Sequence, residues 1–110
     1  PNLPPPPIIH PKACVAKSAI IGNGSIVMAG AVIQPFARIG RHVIINTGAT
    51  VDHDCVIEAY AHIAPGAHLC GGVHVGEGAL VGVGVGIALG AEIAPWTLCK
   101  AARLDLCPMK

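Results

Sequence analysis

The 110 residues carry seven Lys and Arg against six Asp and Glu, a net charge of +1 with only 12% charged residues, so no field that would draw nucleic acid or an anionic membrane is expected. One Trp, one Tyr and one Phe leave the core to small aliphatics, while fourteen Gly and ten Pro exclude long helices. A chain of this length is one domain.

Residues 1–8 form a proline-rich leader, in which Pro4 to Pro7 favour an extended polyproline conformation. The chain begins with Pro, as a processed product or an excised fragment would. From residue 9 a six-residue beat runs to residue 98. Its large aliphatics are Ile9, Val15, Ile21, Val27, Ile33, Ile39, Ile45, Val51, Ile57, Ile63, Leu69, Val75, Val81, Ile87 and Ile93, without a gap. Four places after each stands a small or β-branched residue, from Ala13 through Cys55 to Thr97, and three places after stands Gly in eight of the fifteen repeats.

On a helix a six-residue step turns about 240°, which scatters these aliphatics over several faces. A short strand followed by a turn puts the large and the small residue both inward, with Gly giving the positive φ of the corner. The spacing predicts an all-β hexapeptide β-helix of five triangular coils, 9–26, 27–44, 45–62, 63–80 and 81–98. At about 4.8 Å per strand the prism stands about 24 Å tall. Residues 99–110 break the beat and are expected to form a tail that caps the open ladder, with a helical turn or two before Pro108. The uncharged run 78–91 is shorter than the ~18 residues of a membrane span and reads as core.

Five Cys, at 14, 55, 70, 99 and 107, form no CxxC pair, and no signal-peptide pattern opens the chain, so reduced thiols in the cytoplasm are expected. Cys55 takes an inward place and reads as a buried small hydrophobe; Cys70 points outward as a free thiol.

A polar group within 45–80 exceeds what the fold requires. Stacking by 18 residues sets His53 over Pro35 and under Gly71, and Asp54 over Phe36 and under Gly72. The paired glycines leave room for a thin ligand above a His-Asp pair. Asp54 can orient the imidazole of His53 to take a proton from an attacking hydroxyl or amine.

The segment INTGATVDHDCVIEAYAHIAPGAHLCGGVHVGEGALVGVGV resembles the sugar acetyltransferases that act on sialic acids and nucleotide-linked amino sugars. This resemblance implies a left-handed prism, although parallel crossovers generally favour the right hand. It also implies acetyl-coenzyme A as co-substrate, His53 as general base and Asp54 as its acidic partner. Asn46 and His62 would position the acetyl group and the sugar acceptor, with Gly71, Gly72 and Val83 lining the coenzyme path. The site would lie between subunits of a homotrimer, an assembly that the apolar prism faces also favour. No Lys or Arg lies between Arg41 and Lys100, which predicts weak coenzyme A binding.

Two other readings compete. One is a non-catalytic trimeric scaffold. The other is a γ-carbonic-anhydrase-like zinc enzyme, which needs two His five residues apart; His10, His42, His53, His62, His68 and His74 supply no such pair. The steps of six place His62, His68 and His74 on three successive corners.

Overall fold

The structure, a computed structural model, describes residues 4–100. The beat becomes sixteen strands of two residues each, all paired in parallel into sheets of six, five and five strands. Each strand joins one outward residue to one inward aliphatic, except the last, where Cys99 takes the inward place. The first face holds Ile8–Ile9, Ile26–Val27, Ile44–Ile45, His62–Ile63, Leu80–Val81 and Leu98–Cys99. The second face runs from Cys14–Val15 through Thr50–Val51 and His68–Leu69 to Gly86–Ile87, and the third from Ile20–Ile21 through Val56–Ile57 and His74–Val75 to Glu92–Ile93. Every pairing steps by 18 residues, as in His62↔Ile44 and Ile63↔Ile45. We call the turns between the first and second faces the first corner, those between the second and third faces the second corner, and those closing back the third corner.

The predicted inward residues fill the interior. Ile33, Ile45, Ile57, Ile63 and Leu69 are fully buried, and Ala31, Ala37, Ala49, Ala61, Ala67 and Ala79 pack beside them. Ser25 is the buried polar residue of this core: its Oγ donates to Gly40 O at 2.8 Å and accepts from Val43 N–H at 3.0 Å. Among the described residues no buried side-chain polar group is left without a partner.

The chain winds as a left-handed parallel β-helix. The right-handed rule rests on twisted strands feeding a crossover helix, and two-residue strands joined by tight turns supply neither. All eight predicted corner glycines have positive φ, from 68° to 78°. Five further corners do so without Gly: Phe36, His42, Asp54, Tyr60 and Trp96.

At the ends, Ile8 joins the first strand, and the ladder continues through Leu98–Cys99, which pairs with Leu80–Val81. The expected helical cap falls on residues outside those described.

Candidate active site

His53 and Asp54 occupy the turn after Thr50–Val51, on the second corner. His53 Nδ1 lies 3.0 Å from Asp54 Oδ2, and both side chains are exposed. With Asp54 ionised, Nδ1–H donates to the carboxylate, which fixes the tautomer and leaves the lone pair on Nε2. The short turn sets the two side chains at adjacent positions, with Asp54 at φ 60°. Asp tolerates that conformation better than most residues.

The vacancy above the pair is used in a way the stacking count did not anticipate. A Cβ on Gly71 would stand 2.6 Å from His53 Nε2 and 2.7 Å from Cε1, so the imidazole itself leans up over the Gly71 backbone. The room predicted for a ligand there belongs to the ring. Open space begins one residue on, at Gly72, and recurs one coil higher at Gly90, where an added Cβ would meet nothing within 4 Å.

Asn46 and His62 form the second pair. Asn46 Oδ1 accepts from Thr47 N–H at 2.8 Å, which turns its amide nitrogen outward, 3.1 Å from His62 Nε2. Asn46 therefore donates, His62 Nε2 accepts, and the ring is held neutral. Burial acts in the same direction and lowers the His62 pKa. The pair sits where the first face meets the first corner, whereas His53 and Asp54 sit on the second corner. The second face lies between them, so one chain brings the four residues together as two pairs and not as one site. Val83 stands exposed on the first corner and does not join Gly71 and Gly72 on the second.

His62, His68 and His74 lie in strands, not on corners, and point out from three different faces. Each finds its own partner. His68 Nδ1 is 2.8 Å from Thr50 Oγ1, and His74 Nε2–H donates to Glu58 Oε2 at 2.5 Å. The His74–Glu58 pair lines a cleft of about 350 Å³ with Glu77 and Glu92, away from His53. The sequence reading missed this pair, yet its signal was present: Glu58 and His74 are 16 residues apart, like Asn46 and His62. Cys55 is buried, its Sγ donates to Cys70 O, and burial raises its pKa, so it is no nucleophile.

The family described as "Bacterial transferase hexapeptide (six repeats)" matches residues 18–53. The chain is a hexapeptide-repeat β-helix. No curated protein matches it significantly, but solved structures do. The acetyltransferase domain of PglB from Neisseria gonorrhoeae is 44% identical with a TM-score of 0.89, over 91% of this chain and 49% of that one. It has also been solved in complex with acetyl coenzyme A. PerB from Caulobacter crescentus, solved with CoA and GDP-perosamine, is 45% identical with a TM-score of 0.87, over 89% of this chain and 47% of that one. The hexapeptide chain thus spans about half the length of these relatives. WeeI from Acinetobacter baumannii, 24% identical with a TM-score of 0.55 over 80% of this chain and 51% of that one, shares the fold.

Proposed function

We propose that this chain carries the catalytic prism of an acetyl-coenzyme A-dependent acetyltransferase that acts on a hydroxyl or amine of a sugar or nucleotide sugar. The observation that carries the reading is the His53–Asp54 pair, with the exposed imidazole of His53 lying over Gly71 beside the open Gly72 corner. The 44% identity to sugar acetyltransferases supports the substrate class.

The chemistry follows from the tautomer. Nε2 takes the proton of the acceptor O–H or N–H as its oxygen or nitrogen attacks, and Asp54 stabilises the resulting imidazolium through Nδ1–H. Coenzyme A supplies the acetyl group as a thioester, whose carbonyl is attacked and whose C–S bond breaks; the leaving thiolate regains the proton from His53. No covalent acyl-enzyme is required. The residues fit a thin acyl-carrying arm, because Gly72 and Gly90 leave the second corner clear. They offer no basic side chain between Arg41 and Lys100 for its phosphates. Calorimetry should therefore show a Kd for coenzyme A weaker than about 1 µM, about 8 kcal/mol of binding free energy.

Two pairs on two corners support a site shared between copies, with His53 and Asp54 of one chain meeting Asn46 and His62 of the next in a homotrimer. Light scattering tests this, and a monomer in the active preparation would overturn it. Free thiols at Cys14, Cys55, Cys70 and Cys99 support the cytoplasm as the compartment. Among the described residues no helix is long and apolar enough to cross a membrane.

The deciding assay is thiol release from acetyl-coenzyme A across a panel of amino sugars, wild type against His53→Ala. Background release from both proteins would leave a non-catalytic scaffold.

A further inference from the structure

Phe36, Tyr60 and Trp96 are every Phe, Tyr and Trp in the chain, and none is in the core. All three stand on corner positions with φ of 64°, 64° and 57°, where Gly is the unstrained choice, and all three are exposed. A side chain in this conformation costs about 1–2 kcal/mol. On the third corner each ring meets something from the neighbouring coil. His42 and Tyr60 stack with centroids 5.5 Å apart and planes 4° from parallel, Arg41 lies 5.4 Å from the Tyr60 ring centroid, and Trp96 covers Gly78.

Phe36 has no such company among the described residues. Its corner neighbours are Ser18 below, whose Oγ accepts the Phe36 N–H at 3.0 Å, and Asp54 one coil above. The residue is 63% exposed. Beside it Pro35 lies one coil below His53, and Pro35 O accepts the Asp54 N–H at 3.2 Å. Strain at an exposed ring, directly beneath a reactive pair, is the pattern of a position kept for a ligand.

We propose that Phe36 is the platform for the acceptor: its ring takes the apolar C–H face of the sugar and so sets the acceptor's hydroxyl or amine at His53 Nε2. The face of an aromatic ring is electron-rich and the C–H face of a pyranose is electron-poor, which makes them complementary. Because the His53 ring leans up over Gly71, Nε2 stands about two coil spacings of ~4.8 Å above Phe36, so a sugar lying on Phe36 meets the imidazole through an exocyclic group that extends up past Asp54. The donor then enters from the other side, along Gly72 and Gly90. This rests on the acetyl-transfer reading and adds the specificity-determining residue to it.

Because the chain has a single Phe, full-length protein labelled with 4-fluorophenylalanine gives one fluorine resonance that reports this position alone. Titration with GDP-perosamine or glucosamine should move it, and GDP without the sugar should not. In kinetics, Phe36→Gly should raise the acceptor KM about tenfold or more, leave the acetyl-coenzyme A KM within about twofold, and be recovered by Phe36→Tyr. The same Gly should leave Tm unchanged or higher, since Gly suits φ 64°. A platform that was merely structural would instead lose Tm. The proposal is overturned if the resonance stays still at sugar concentrations that saturate turnover, or if Phe36→Gly leaves the acceptor KM unchanged. A sugar-dependent shift without any acetyl transfer would keep the platform and reject the transfer reading; transfer without a shift would do the reverse, and neither would reject both.

Discussion

The second and third corners are built from the same stacked turns, and both remove side chains with glycine, but they use the vacancy in opposite directions. On the third corner the ring comes from the coil above: His42 fills the space over Gly24 and Trp96 the space over Gly78. On the second corner the ring comes from below, His53 leaning up over Gly71 beside an open Gly72. The first arrangement closes a column of rings. The second leaves a basic nitrogen at the edge of an unfilled gap, so a missing Cβ serves packing at one corner and chemistry at the other.

The sharpest way to break this contrast is His53→Ala, which should cost about 10²–10⁴-fold in acetyl transfer, read as thiol release, with the melting curve unmoved because the side chain is exposed. Next is Gly71→Ala. Its φ is ordinary, so the backbone tolerates Ala, but the new methyl occupies the place of the imidazole edge. Transfer should fall by about 100-fold through misplacement of the base, again without loss of Tm. Gly78→Ala on the third corner should behave inversely: it meets φ +68° and the Trp96 ring together, and should lose about 1–2 kcal/mol in urea melts while transfer persists. If Gly71→Ala destabilised the fold and Gly78→Ala abolished transfer, the contrast would be reversed.

A smaller effect concerns pH. Burial depresses the His62 pKa below its ordinary 6.5. Above that value the ring is neutral in both states and imposes no penalty. As pH falls below it the unfolded chain takes up the proton first, so stability declines until the folded-state value is passed. The expected signature is a Tm that drops between pH 7 and pH 5 and drops less in His62→Gln. Smallest of all, exposed Cys14 and Cys70 should alkylate at pH 8 while Cys55 reacts only on unfolding.

The inward lattice was legible from the beat alone, because a period of six leaves no other way to gather Ile33, Ile45, Ile57 and Leu69 into one interior. The stacking partners His53 and Gly71 were legible too, by adding 18. What they meant was not. Register arithmetic places backbones over one another but says nothing of which way a ring leans, so the occupied space over Gly71 read as empty. The pair Glu58 and His74 escaped for the same reason, since a residue just past one strand meets the outward residue of the next coil through side-chain reach across 16 positions. The bulky corner residues Phe36, Tyr60 and Trp96 ran against the glycine rule and became informative only once their φ values were known.

The unbroken pairing of every strand with the one 18 residues away also bears on how such a chain can change length. Depth is read in a frame of six and face in a frame of 18. Inserting or deleting a single hexapeptide between His53 and Gly71 would keep every aliphatic inward yet rotate all later residues by one face, and the base would lose the bare backbone it rests on. A whole coil of 18 added beyond Gly90 would lengthen the prism and leave that relation intact. Indels in a gene for this architecture should therefore be tolerated in multiples of three repeats outside 36–90, and in no multiple at all within it.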